Sequence, residues 1–176
     1  MRDRKLASLI LPVVAAFVIL ADQAAKYLVR LNLRPGQSID LGPLVAPFLQ
    51  ITYVTNSGAA FGLFPNRGQF FVVIAVLVIA ALVWYYIQFS DGHWFVQFAL
   101  GLQLGGASGN LIDRLRFDGS VVDFIDLNFW PLHRWPIFNL ADASIVVGVT
   151  LLTILMLWEE RYQEGPNTQL ATAKDE

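Results

Sequence analysis

Residues 70–87 read Phe70-Phe-Val-Val-Ile-Ala-Val-Leu-Val-Ile-Ala-Ala-Leu-Val-Trp-Tyr-Tyr-Ile87, a run with no charge, no glycine and no proline. Crossing the roughly 30 Å hydrocarbon core of a bilayer takes about 20 predominantly apolar residues in a helix, which satisfies its own backbone groups where water cannot. The run therefore predicts a transmembrane helix, ending in Trp84, Tyr85 and Tyr86, rings suited to the headgroup layer. Three further windows share its character. Residues 6–28 are apolar apart from a polar knot at Asp22, Gln23 and Lys26; residues 94–112 are uncharged and glycine-rich; residues 140–158 are broken only by Asp142. The expected fold class is an all-α membrane protein of four transmembrane helices in one domain, residues 1–164, with a polar tail at 165–176 expected to be flexible.

Composition agrees. Of 176 residues 56% are hydrophobic and 15% charged, against about 25% charged in soluble domains, and the mean hydropathy is +0.54. Twelve basic against fourteen acidic residues, a net charge of -2, give no footprint for nucleic acid. The absence of cysteine removes disulfides, thiolate metal sites, iron–sulfur clusters and a cysteine nucleophile together. His93 and His133 are the only histidines and no HExxH is present, so no metal or cofactor is expected.

Four spans put both termini on one side and the two long connections, about 29–69 and 113–138, together on the other. Arg2, Arg4 and Lys5 lead the chain and place the termini in the cytoplasm by the positive-inside rule. Those cations also resemble the start of a secretory signal, but Asp22 and Lys26 sit where a cleavage region would be expendable, so retention is expected. The long connections are patterned. Residues 48–55 and 121–126 alternate or concentrate β-branched and aromatic residues, and both predict short strands. No internal repeat is apparent.

Ionisable groups inside a span cost at least about 2.5 kcal/mol each, so each asks for a partner or a purpose. Asp22 and Lys26 stand at i,i+4 in the favourable order for a helical ion pair, which structure alone would justify. Gly101, Gly105 and Gly109 recur every four residues and are explained by close helix packing. Asn110 and Arg114, again i,i+4, project an amide and a guanidinium where that helix leaves the membrane, and Arg114 is suited to a carboxylate. Asp142 lies in the first turn of its helix, where capping and the dipole would explain it. Asp123 lies in an apolar strand-like run on the same side, where no cap accounts for it. Two carboxylates in a poorly hydrated site share one proton and form an acid and a base at once, enough to hydrolyse an amide through water. A Ser/Lys dyad of Ser57 or Ser108 with Lys26 remains open on residue types, but leaves both acids unused.

Five blocks then carry a resemblance across nearly the whole chain: Asp22-Gln-Ala-Ala-Lys26, Asn56-Ser-Gly-Ala-Ala-Phe61, Gly105-Gly-Ala-Ser-Gly-Asn-Leu-Ile-Asp-Arg114, Val121-Val-Asp-Phe-Ile-Asp126 and Phe138-Asn-Leu-Ala-Asp142. In this order and spacing they resemble the lipoprotein signal peptidases, or signal peptidase II, the bacterial intramembrane aspartic peptidases. The resemblance implies that Asp123 and Asp142 are the catalytic dyad, and that Asp22, Lys26, Asn56, Gly58, Gly106, Asn110, Arg114 and Asn139 bind substrate or support the dyad. It implies prolipoprotein substrates carrying a diacylglyceryl-modified cysteine, cleaved just before that cysteine, and a small β-sheet cradle in the loops. It also implies a monomer in contact with membrane lipid, in the bacterial inner membrane with the site at the outer face. A loop-borne Asp123 is expected to close on Asp142 as substrate binds; activity surviving a cross-link that froze the loop would refute this. A non-enzymatic membrane protein with a buried polar relay is the other class of reading, but charge gathers here at one face and traces no path across the bilayer.

Overall fold

The computed structural model describes residues 9–58, 67–89 and 93–172, with side chains as far as Arg161. Its elements are α1 (Ile10–Asn32), β1 (Ser38–Asp40), β2 (Leu49–Asn56), α2 (Gly68–Phe89), α3 (Trp94–Arg116), β3 (Val121–Leu127), a 3-10 turn at Leu132–Arg134 and α4 (Leu140–Thr172). Three helices among the described residues are long and apolar enough to cross a membrane: Ile10–Asn32, Gly68–Gln88 and Leu140–Arg161. The third window expected to span, within α3, forms a helix of matching length but of lower hydropathy. The reason is its place. Helix α3 packs against α1, α2 and α4, so small and polar side chains face protein on several sides and lipid on few. Helix α2 is the opposite case: no residue of its most apolar 18-residue window is buried, and Phe70, Val73, Leu77, Trp84 and Ile87 stand exposed along it.

Close approach explains the glycines of α3. A Cβ at Gly105 would lie 2.7 Å from Cβ of Val18 on α1, and one at Gly106 would collide with the Ala141 carbonyl on α4. The two rows let α3 touch both neighbours at backbone distance.

The loops at one end build a three-stranded antiparallel sheet in the order β1-β2-β3, with Ile39 opposite Ile51 and Ile51 opposite Ile125. Strand β2 is shifted by one residue from the expected 48–55, and β3 extends one residue beyond the expected 126. Strand β1 was not expected; its three residues are too short for a period-two pattern to register. Val29 and Leu33 of α1 pack with Tyr53, Val122 and Phe124, which fastens the sheet onto the end of the helical bundle. At the other end of the chain α4 runs on to Thr172 through the segment expected as a flexible tail.

Candidate active site

Asp123 stands in β3 among Val121, Val122 and Phe124, all buried. The strand is held on both edges, by β2 and by a bridge from Ile125 to Phe138. The register of β2 against β3 shifts between Ile51 and Val54, and Val54 is the residue opposite Asp123; a shift of this kind re-aims side chains locally.

Asp142 is placed by the start of α4. Asn139 Oδ1 accepts from the Asp142 N–H at 2.9 Å, and Asp142 Oδ2 accepts in return from the Asn139 N–H at 3.3 Å. This reciprocal pair is a capping box, so the capping explanation for Asp142 holds for one of its oxygens. The other oxygen, Oδ1, accepts from Asn110 Nδ2 at 2.7 Å.

Asn139 joins the two acids. While its carbonyl oxygen and N–H engage Asp142, its Nδ2 donates to Asp123 Oδ1 at 2.6 Å and to Asn110 Oδ1 at 3.2 Å. Asn56 donates from Nδ2 to Asp123 Oδ2 at 3.1 Å, its own Oδ1 taking the Gly58 N–H at 2.9 Å. Burial and the nearby Asp142 charge push Asp123 up to about 7, against amide hydrogen bonds from Asn56 and Asn139 and the Lys26 charge, which all act the other way. Desolvation is the largest of these effects, as expected for a carboxylate only 3% exposed.

Behind the acids lies a buried ionic cluster. Lys26 Nζ contacts Asp22 Oδ2 at 2.8 Å, Asp113 Oδ2 at 3.0 Å and Asn110 Oδ1 at 3.0 Å. Those acceptors match the three donors of an ammonium, which leaves none of its hydrogens for Ser57 or Ser108 and weighs against a Ser/Lys dyad. Gly109 gives room for this cluster: a Cβ there would stand 2.8 Å from Asp22 Oδ2. Arg114 lies toward the other side, its Nη2 3.4 Å from the Gly58 carbonyl and its guanidinium 5.6 Å from the Phe71 ring centre. Its Nε is buried with no hydrogen-bond partner among the described residues.

Nine of the ten residues expected at the site thus converge there, and Gly106 lies at the α3–α4 contact against Ala141, the residue before Asp142. Ala59, Ala60 and Phe61 of the second block lie outside the described residues. Sequence reasoning missed Asp113 and Gln23. Gln23 Nε2 donates to Asp113 Oδ1 at 2.8 Å and to the Gly109 carbonyl at 3.2 Å. The cost of an ionisable group at the end of a span, applied to Asp22, applies equally to Asp113 and was the available signal.

The comparisons with known proteins point one way. Residues 14–158 match the family model described as Signal peptidase (SPase) II. The lipoprotein signal peptidase of Halothermothrix orenii is 46% identical over 148 residues, 84% of this chain and 94% of that one. The Staphylococcus aureus protein of the same name is 40% identical over 144 residues, 82% and 85% of the two chains. A bacterial membrane enzyme solved in meso superposes with a TM-score of 0.79 at 37% identity, covering 88% of this chain and 92% of its own. A second superposes at 0.73 with 39% identity, over 82% and 90%. With apolar helices of membrane-crossing length, a loop sheet against their ends and a matching sequence over most of its length, the chain belongs to the signal peptidase II family of bacterial membrane peptidases.

Proposed function

We propose that this protein removes the signal peptide of prolipoproteins by aspartic catalysis, cutting immediately before a diacylglyceryl-modified cysteine. The observation that carries the mechanism is the Asn139 side chain, which hydrogen-bonds Asp123 through its nitrogen and the Asp142 N–H through its oxygen, holding two acids from different elements around one amide. Asp123, pushed up to about 7, holds the shared proton; Asp142 is the base. In the first step Asp142 takes a proton from water as its oxygen bonds to the scissile carbonyl carbon, and Asp123 gives its proton to the carbonyl oxygen. In the second the tetrahedral carbon expels the amine, which takes the proton from Asp142, and the diol returns its proton to Asp123 as the carbonyl re-forms. Both acids end as they began.

Arg114 supports the substrate side of this reading. A buried guanidinium nitrogen near Gly58, without a hydrogen-bond partner among the described residues, is suited to a peptide carbonyl of the incoming chain. The acyl chains of the modified cysteine would stay in the outer leaflet while the scissile bond reaches the dyad. In this arrangement α3 is the fourth span, both termini are cytoplasmic, and the site lies at the outer face of the bacterial inner membrane. The working unit in this reading is a monomer in contact with membrane lipid.

The test is cleavage of a diacylglyceryl-modified prolipoprotein by purified protein in detergent, with Asp123→Asn and Asp142→Asn made separately. Asn keeps the shape of each side chain and removes the proton donor at Asp123 and the proton acceptor at Asp142. Both variants are expected to bind substrate and cleave none; near-parent activity in either rejects the dyad. Ser57→Ala is expected to keep activity, and its loss with Asp123→Asn active would establish the Ser/Lys alternative.

A further inference from the structure

The cluster behind the dyad holds two carboxylates against one ammonium, and the second carboxylate is not needed to neutralise Lys26. Asp22 already pairs with it at 2.8 Å. Asp113 is nonetheless buried to 1% exposure, a placement that is costly for a carboxylate without a specific use.

Its contacts show the use. Asp113 Oδ2, besides meeting Lys26, accepts from the backbone N–H of Val122 at 3.0 Å, the residue just before Asp123. Asp22 does the equivalent on the other side: its Oδ1 accepts from the backbone N–H of Ala141 at 3.0 Å, the residue just before Asp142. One ammonium therefore grips two carboxylates, and each carboxylate holds the chain next to one dyad acid. Gln23 fixes the orientation of Asp113 by donating to its Oδ1.

We propose that Asp113 is a positioning residue for the peptidase reaction, holding β3 through Val122 so that the Lys26 ammonium sets the separation between Asp123 and Asp142. The proposal rests on the dyad reading above. It also gives Asp113 an electrostatic role: its charge offsets that of Lys26, which otherwise draws the proton from Asp123.

The experiment compares Asp113→Ala with Asp113→Asn in the full-length protein in detergent, on a diacylglyceryl-modified prolipoprotein. Asn retains an oxygen able to accept from Val122 and loses the charge; Ala loses both. Expected for Ala is a kcat about a hundredfold below the parent with KM within about twofold, the signature of misplaced catalytic groups. Expected for Asn is a kcat within about tenfold of the parent, with the alkaline limb of its pH profile moved to lower pH because Lys26 is less offset. An Asn variant as impaired as Ala, or either variant with the parent kcat and pH profile, overturns the proposal. Should the Ala variant fail to fold, the Asn variant decides alone, and an unmoved alkaline limb is the negative result. Asp123→Asn and Asp142→Asn run alongside: activity in either sinks the dyad whatever Asp113 does.

Discussion

Asp123 accepts amide hydrogen bonds on both oxygens, an arrangement that by itself favours the ionised form, yet burial and Asp142 outweigh it and raise the group to about 7. The sign of the pH dependence follows. A raised carboxylate keeps its proton up to about pH 7, so the donor needed at the carbonyl oxygen is present below that pH and lost above it. Cleavage is expected to fall about tenfold per pH unit on the alkaline side, with the bend near 7; a profile flat from pH 6 to 9 would move the acid role away from Asp123. Asn139 allows a second expectation at this scale. Asn139→Ala deletes both the link between the acids and the cap of α4, so kcat should drop about a hundredfold, while stability declines by about 2–4 kcal/mol, the cost of a lost N-cap together with the buried partners left unsatisfied. Thermal unfolding beside single-turnover cleavage separates the two effects.

Among the elements, α3 decides how closely the others meet. A Cβ at Gly106 would collide with the Ala141 carbonyl and Ile145, so a side chain there must push α4 and its Asp142 outward. Gly106→Val is expected to destabilise by about 1–3 kcal/mol, as overpacking does, and to reduce cleavage by more than that loss of folded protein accounts for. Activity measured well below the unfolding temperature checks this; parent turnover in the folded variant would mean that α4 tolerates the displacement. Strand β3 is set differently, by pairing with β2, by the bridge to Phe138 and by Asp113, so Asp123 belongs to a fastened strand rather than to a free loop.

For the whole molecule, the natural absence of cysteine makes orientation directly measurable, since any introduced thiol is the only one. A cysteine at Leu44, 88% exposed beside the sheet, should react with a membrane-impermeant reagent added outside intact inner-membrane vesicles of right-side-out orientation, and one at Glu160 near the other end of α4 only after the vesicles are opened. The reverse pattern would put the site on the cytoplasmic side. The belt of exposed Phe48, Trp130 and Trp135 around the sheet suits the headgroup layer, where rings of this kind are favoured.

Helix identity in this protein was legible from residues 70–87 and the windows like them, because a bilayer demands uninterrupted apolar length and leaves few other ways to be folded. The same cost argument singled out Asp22, Lys26 and Asp142, whose presence in apolar runs is visible without any partner. The two loop strands were legible to within a residue from alternation. Beyond that, local pattern carries no information on which distant groups meet. Asp113 looked like the end of a span until folding set it against Lys26 from α1 and the Val122 N–H from β3. Asn139 stood out only through the family resemblance, and it is folding that brought Asp123 of β3 to its side-chain nitrogen. Residues 113–142 and 22–26 are far apart in the chain, and their hydrogen bonds exist only because the glycine rows of α3 allow three helices to close to backbone contact; that closure, a property of packing rather than of any segment, is what the tertiary structure alone decided.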